Sequence, residues 1–158
     1  RGSFTCDTGS GNCVIADFDG DTLACDTGSG DVRIRGARAV RVVADTGSGD
    51  IRVTGADVED FRGDTGSGRV EIENPGSRLR RVWADTGSGS VVLRLPEDAS
   101  FELHADLGSG DIVSHYRDAE AVVHKREVVG YRRGDGAVRI EVDTGSGDVV
   151  VEPLRLER

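Results

Sequence analysis

The pentapeptide Asp-Thr-Gly-Ser-Gly at residues 45–49, followed by Asp-Ile-Arg-Val-Thr-Gly at 50–55, is one copy of a motif that recurs along the whole chain. Successive copies begin about 19–21 residues apart, except for one interval of roughly twice that length. Such self-similarity is typical of a solenoid, in which each repeat is one coil and neighbouring coils bury each other's apolar faces. The motif aspartates are Asp7, Asp26, Asp45, Asp64, Asp85, Asp106 and Asp143, of which Asp106 begins the variant Asp-Leu-Gly-Ser-Gly.

Apolar side chains alternate with polar ones on both sides of each motif. In the third copy, Val42 and Ala44 precede the motif, and Ile51 and Val53 follow it. Period-two alternation of β-branched residues around a glycine-rich turn predicts a strand, a turn and a second strand in every repeat. A helical pattern is present only weakly, at residues 117–127.

Two arrangements fit this repeat: a meander of antiparallel hairpins, and a coil whose equivalent strands stack in parallel. The charges favour the second, because Arg41, Asp60 and Arg81 occupy the same outward position and parallel stacking makes them neighbours at ~4.8 Å. We therefore predict an all-β fold, a single-stranded parallel β-solenoid (β-helix-like). We expect it to be right-handed, with about 19–21 residues per coil. One domain is expected over residues 1–158, with an irregular coil or insertion at about 114–137.

The motif is predicted to be a structural turn. Its glycines permit a positive φ or a close approach where the chain reverses, and its aspartate is expected to accept hydrogen bonds from backbone N–H groups of the turn. Asp-Thr-Gly-Ser also resembles the active-site signature of aspartic proteases. That chemistry needs two carboxylates sharing a proton across one cleft, whereas this chain repeats the motif in short coils. We therefore expect no enzymatic activity.

Longer stretches resemble the bacterial "putative adhesin" repeat family, also called the toastrack domain. They are Asp-Val-Arg-Ile-Arg-Gly (31–36), Asp-Ile-Arg-Val-Thr-Gly (50–55), the run 91–103 and the closing run 134–149. The resemblance covers essentially the whole chain. It implies a β-helix-like fold of envelope or surface proteins and supplies no catalytic residues. An extracytoplasmic location follows as an expectation: the cell surface, the periplasm or the secreted fraction.

The net charge of the chain limits the classes of partner that we expect. The chain has 29 acidic and 20 basic residues, a formal net charge of -9. Because no basic stripe is left uncompensated, nucleic acid is not expected as a partner. No apolar run approaches the ~20 residues needed to cross a bilayer, so no membrane span is expected in this chain.

An acidic loop follows the first coil. Asp17, Asp19 and Asp21 form Asp-Phe-Asp-Gly-Asp, and clustered carboxylates suit Ca²⁺, which takes six to eight oxygen ligands. The spacing is not that of an EF-hand, and a solvated acidic loop is the alternative. No other cofactor is expected.

One outward position suggests a recognition patch. Arg62, Trp83 and His104 occupy the same place in three consecutive copies, so sequential stacking would bring them into one column. A Trp beside an Arg is either part of a binding surface or a surface cation–π contact.

Three cysteines, Cys6, Cys13 and Cys25, lie at inward positions of the first two coils. Cys6 could pair with Cys13 across the turn, or with Cys25 in the next coil at a Cα separation of ~4.8 Å. Either disulfide leaves one thiol and would suit an oxidising location. Free buried thiols are the alternative.

We expect a non-enzymatic scaffold or adhesion-type binding module of the cell envelope, whose surface ligand is an unknown protein or glycan. One alternative is a subunit that self-assembles end to end, with Phe4 and Cys6 meeting the strand at residues 149–156 of the next copy. The other is a polysaccharide-active β-helix enzyme, which would need acidic and basic groups converging in a groove.

Overall fold

The computed structural model describes residues 2–76 and 78–154. These residues form strands and no helix, and so contain no helix able to cross a membrane. The strands are β1 (Ser3–Thr8), β2 (Cys13–Ala16), β3 (Thr22–Thr27), β4 (Val32–Arg35), β5 (Arg38–Thr46), β6 (Ile51–Thr54), β7 (Asp57–Thr65), β8 (Val70–Glu73), β9 (Arg81–Thr86), β10 (Val91–Leu95), β11 (Phe101–Leu107), β12 (Ile112–Ser114), β13 (Glu120–His124), β14 (Glu127–Arg133), β15 (Val138–Thr144) and β16 (Val149–Pro153).

The strands form two sheets. The nine-stranded sheet has the order β1-β3-β5-β7-β9-β15-β11-β14-β13, and the seven-stranded sheet has the order β12-β16-β10-β8-β6-β4-β2. Equivalent strands pair in parallel and in register, so that Asp26 lies beside Asp45 and Arg41 beside Asp60. Each motif turn connects the first sheet to the second. The predicted all-β, parallel, solenoid-like fold is confirmed.

The core is a narrow layer between the two sheets. Because strand side chains alternate between faces, every second residue points inward and stacks on its equivalent in the next coil. Phe61 and Val82 are register partners in one such column, and both are almost completely buried. Val53 and Ile72 do the same in the facing sheet. The alternation in the sequence therefore builds one continuous apolar core.

The last repeat does not stack in sequence order. β15 lies between β9 and β11, so that Asp143 pairs with both Asp85 and Asp106. β16 lies likewise between β10 and β12. β14 occupies the outer edge of β11, and β15 pairs with the inner edge. The expectation that consecutive motif copies are neighbours is wrong at this end of the solenoid.

An antiparallel hairpin replaces the weak helical pattern at residues 117–127. β13 and β14 pair with each other, and β14 also pairs with β11. The hairpin turns at Lys125 and Arg126, which have φ angles of 52° and 68°. Two consecutive positive φ angles match the twist of hairpin strands, but neither residue is the Gly or Asn that usually marks such a turn.

The insertion of β16 also changes the ends of the stack. Val149 and Val151 are fully buried, with strands on both sides. The predicted contact of Phe4 and Cys6 of one copy with the strand at 149–156 of another is therefore wrong for 149–151, and residues 155–158 lie outside the described part. The terminal strands are β1 and β2 at one end, and β13 and β12 at the other.

Candidate functional site

The motif turn is held by its threonine. Thr46 Oγ1 donates a hydrogen bond to the carbonyl oxygen of Gly30 in the preceding coil at 2.7 Å and accepts one from the N–H of Gly49 at 3.1 Å. The side chain is buried, so both hydrogen bonds are shielded from water. The same pair of bonds is made by Thr27, Thr65, Thr86 and Thr144.

The motif aspartates do not have the turn role expected of them. Within residues 2–76 and 78–154 their side chains make no hydrogen bond or ion pair, and they form an outward column instead. The residue after the motif accepts a backbone hydrogen bond from the next coil. Asp31 Oδ1 accepts one from the N–H of Asp50 at 2.9 Å, and Asp50 Oδ1 accepts one from the N–H of Arg69 at 2.8 Å. These hydrogen bonds join different coils, so they are not the Asx-turn expected within the motif.

Stacking of the motif aspartates is reflected in their acidity. Partial burial, followed by repulsion from Asp26, raises the pKa of Asp45. Burial and the carboxylates on either side raise the pKa of Asp64 despite the opposing charge of Arg62. Burial and then Asp143 raise the pKa of Asp85. The column is thus a line of like charges that disfavours its own ionisation.

The motif glycines are required by close approach. A Cβ on Gly47 would lie far inside contact distance of the Gly28 carbonyl oxygen, and one on Gly49 would do the same to Gly30. Gly47 and Gly49 do not adopt a positive φ. Coils therefore pack so tightly at the turn that there is no room for a side chain.

The aspartates of the acidic loop differ in backbone conformation and pairing. Asp17 has a φ of 59° and takes the corner position that Gly36 and Gly55 occupy in the next coils. Asp19 forms an isolated bridge with Arg38. No cluster of three or more metal-ligating side chains occurs among the described residues, so the calcium site remains a prediction from the sequence alone.

The structure joins Cys6 to Cys13 in a disulfide across the first motif turn, with Cα atoms 6.3 Å apart. Cys25 is a free and buried thiol beside Cys6 in register. Burial raises the pKa of Cys25 to about 11. Of the two pairings compatible with the sequence, the structure contains the one within a coil.

The recognition patch is assembled differently from the predicted column. The guanidinium carbon of Arg62 lies 4.3 Å from the centroid of the Trp83 ring, and the two residues are register partners. Glu141 of the inserted β15 lies between Trp83 and His104. His104 Nε2 instead hydrogen-bonds Glu102 Oε2 at 2.8 Å. The structure thus brings two of the three residues together.

An open cavity of about 330 Å³ lies beside this pair on the outer face of the nine-stranded sheet. Sequence reasoning missed Arg139, because it is the position of β15 that brings this residue next to Arg81. Guanidinium groups stay protonated in proteins and only donate hydrogen bonds, so the cavity is equipped to hold an anion. Its polar and aromatic lining consists of Arg41, Arg62, Arg81, Arg139, Asp60, Glu141 and Trp83.

The opposite sheet has a charged cluster of a structural kind. Arg94 donates hydrogen bonds to Glu71, Glu73 and Glu152 at 2.7, 2.8 and 2.7 Å. Burial alone would raise the pKa of Glu71, but the hydrogen bond from Arg94 and the positive charges of Arg94 and Arg52 lower it overall. Arg94 is thus paired with three carboxylates, whereas Arg81 and Arg139 beside Trp83 form no ion pair among the described residues.

The chain belongs to the family described as Toastrack DUF4097, whose model matches residues 2–152. It also shares its fold with a solved structure, that of a "putative cell adhesion protein" from Clostridium sporogenes ATCC 15579. The TM-score is 0.58 at 10% sequence identity, over 92% of this chain and 93% of the other. No curated protein matches the sequence. The family membership expected from the repeated motifs is confirmed.

Proposed function

We propose that this protein is a non-enzymatic, extracytoplasmic binding module of the cell surface, and that its ligand binds at the cavity beside Trp83. The observation that carries the proposal is the stacked pair of Arg62 and half-buried Trp83 at the edge of an open cavity. Aromatic and arginine side chains are the types that contribute most to recognition surfaces.

The platform under the cavity supports this role. β7, β9 and β15 carry its residues, and each of these strands is paired with a neighbour on both sides. Phe61, Val82 and Ile140 anchor the same three strands in the core with almost no exposure. A surface built on paired and packed strands holds its side chains in place before a ligand arrives, which reduces the entropy lost on binding.

The proposed location is supported by the disulfide between Cys6 and Cys13, because disulfides persist in oxidising compartments. The likeness in fold to the clostridial cell adhesion protein points in the same direction.

Binding is tested with labelled protein on a glycan array and on a panel of extracellular matrix proteins. We expect saturable binding to at least one surface, weakened about tenfold or more by Trp83→Leu. Phe4→Leu is the matched control, since Phe4 is an exposed aromatic at the far end of the stack. Equal loss with both variants, or no binding by the natural protein, would contradict the proposal.

A second candidate function is end-to-end assembly. β1 is a terminal strand of the nine-stranded sheet, and Phe4 on it is 47% exposed. Such an edge can pair with another strand. If assembly occurs, light scattering and negative-stain images of the purified protein will show unbranched filaments along the solenoid axis, and Phe4→Lys will abolish them. A monodisperse natural protein at millimolar concentration would exclude this candidate.

A further inference from the structure

Among the described residues, two arginines beside Trp83 form no ion pair with a carboxylate. Arg81 and Arg139 are direct neighbours in register, an arrangement in which like charges destabilise a sheet. In the part of the chain that the structure describes, neither guanidinium forms an ion pair or a side-chain hydrogen bond, and both are exposed. The acids next to them in register form their contacts with other residues: Asp60, beside Arg81, with Arg41 at 3.8 Å, and Glu102, beside Arg139, with His104 at 2.8 Å.

The next outward row holds the aromatic ring. Two residues further along the same strands, Trp83 lies between Arg62 and Glu141. Arg62 lies over one face of the ring at 4.3 Å, and Trp83 lines the cavity. The indole of Trp83 therefore lines the same cavity as the two unpartnered cations.

A third outward row is acidic. Asp64, Asp85 and Asp143 follow two residues further on, next to one another in register. At about 3.3 Å of rise per residue, this row lies roughly 13 Å from the arginine row. Along β9 and β15 the face thus presents two arginines, then Trp83 beside Glu141, then two aspartates.

We propose that this face binds an acidic polysaccharide, one whose sugar rings carry carboxylate groups. Arg81 and Arg139 bind the sugar carboxylate, as guanidinium forks do in proteins. The pyranose ring packs its apolar C–H face on Trp83, and sugar hydroxyls donate hydrogen bonds to Asp85 and Asp143. A cavity of about 330 Å³ lies at the small end of the range for small-molecule sites, roughly 300–1,000 Å³. This ligand class rests on the proposed function.

Denser polyanions fit the face poorly. A nucleic acid or an anionic membrane presents negative charge across the whole contact, and the aspartate row together with the net charge of -9 would repel it. A uronate-type sugar carries its charge at one side of the ring and hydroxyls at the other, which matches the order of the three rows.

The test uses tryptophan fluorescence, because Trp83 is the single tryptophan of the chain. Purified protein is titrated with oligogalacturonate, with oligoalginate and with the methyl-esterified form of the first. We expect a saturable change in emission with at least one uronate oligomer and none with the ester. Arg81→Gln combined with Arg139→Gln should weaken binding about tenfold or more. The control is Arg33→Gln with Arg35→Gln, which removes the same charge from the opposite sheet and should leave binding unchanged.

Three outcomes overturn the inference. The first is the absence of uronate binding while Trp83→Leu still abolishes binding to another glycan or to a protein, in which case the proposed function stands without this ligand class. The second is equal weakening by the two double variants, which would indicate nonspecific charge attraction. The third is tighter binding of single-stranded DNA than of any uronate. If no surface or oligomer binds at all, the proposed function falls with the inference. Circular dichroism of each variant verifies that it is folded.

Discussion

Thr46 of one coil and Gly30 of the preceding coil are joined by a hydrogen bond of 2.7 Å from the threonine hydroxyl to the glycine carbonyl. The hydroxyl oxygen also accepts the N–H of Gly49, so one buried atom closes its own turn and fastens it to the neighbouring coil. Because five motif copies repeat this arrangement, the threonines form a polar ladder at the border of the apolar core.

Replacing Thr46 with Val keeps its shape and removes the hydroxyl. We expect unfolding free energy to fall by about 1–3 kcal/mol, because the N–H of buried Gly49 loses its partner. Thr46→Ser keeps both hydrogen bonds and should cost less. Urea denaturation followed by circular dichroism measures the difference, with Ser48→Ala on the exposed side of the turn as a neutral control. A serine variant as unstable as the valine variant would contradict the role of the hydroxyl.

Gly47→Val should destabilise the fold far more than Asp45→Asn. The valine side chain would collide with the backbone of Gly28, and such overpacking costs about 1–3 kcal/mol or more. Among the described residues Asp45 has no side-chain hydrogen bond or ion pair to lose, and its neutral replacement relieves repulsion within the column. Thermal melts of the two variants decide the matter. An asparagine variant that melts below the valine variant would refute this account of the turn.

The aspartate column predicts a definite pH dependence. Asp45, Asp64 and Asp85 have folded-state pKa values above the ordinary 3.8. At pH values between 3.8 and these raised values, the folded protein therefore binds more protons than the unfolded one. Their contribution to stability therefore rises as pH falls through the raised pKa values, and the penalty is full at neutral pH.

The measurement compares the natural protein with the triple variant Asp45→Asn, Asp64→Asn, Asp85→Asn. We expect the variant to have the higher urea midpoint at pH 7 and the advantage to shrink toward about pH 3. Glu71 acts in the opposite sense, because its folded pKa is lowered, but it is present in both proteins and cancels. An advantage that does not change with pH would show that the column is not responsible.

Arg94→Met should leave Glu71, Glu73 and Glu152 facing one another without a counter-charge. We expect the free energy of unfolding to fall by about 2 kcal/mol at neutral pH, because removing the arginine leaves partly buried carboxylates without a counter-charge. The loss should diminish in acid, where the glutamates are protonated. Arg33→Met, on the same sheet and exposed, is the control and should change stability by less than about 0.5 kcal/mol. Chemical denaturation of the Arg94→Met and Arg33→Met variants at neutral and acidic pH measures both effects.

Alkylation will report the cysteine pairing. In denatured, unreduced protein we expect iodoacetamide to label Cys25 alone, and to label Cys6 and Cys13 only after reduction. In the folded protein Cys25 should react slowly, because it is buried and its pKa is raised to about 11. Peptide mass spectrometry identifies the labelled positions. Labelling of Cys13 before reduction would place the disulfide elsewhere.

The repeat made most of the fold predictable. Inward and outward positions follow from period-two alternation, and the opposite charges of Arg41 and Asp60 favour the parallel register that the structure has. The same alternation points Thr46 inward, two residues after Ala44, so its burial could have been inferred from the pattern. The turn carboxylate Asp45 was expected to accept backbone hydrogen bonds of the turn, a role that the hydroxyl of Thr46 has in the structure.

The candidate site was only partly predictable. Arg62 and Trp83 are joined by a regular 21-residue step between coils, and their contact followed from stacking. Arg139 and Glu141 lie on β15, which pairs between β9 and β11 and not beyond β11. No local sequence pattern predicts this position of β15. The position of β15 depends on which edge of β11 the hairpin strand β14 occupies. That outcome is decided by competing long-range strand pairings and not by the repeat itself.

The backward step of β15 and β16 has a consequence for biosynthesis. As the chain leaves the ribosome, strands up to β10 can join the growing stack one coil at a time, since each finds its neighbour already made. β11 has no such neighbour until residues 138–144 exist, because its parallel partner is β15. The strand that completes the cavity beside Trp83 is thus made well after its neighbour β9, and a nascent chain acquires that surface only once residues 138–144 have left the ribosome.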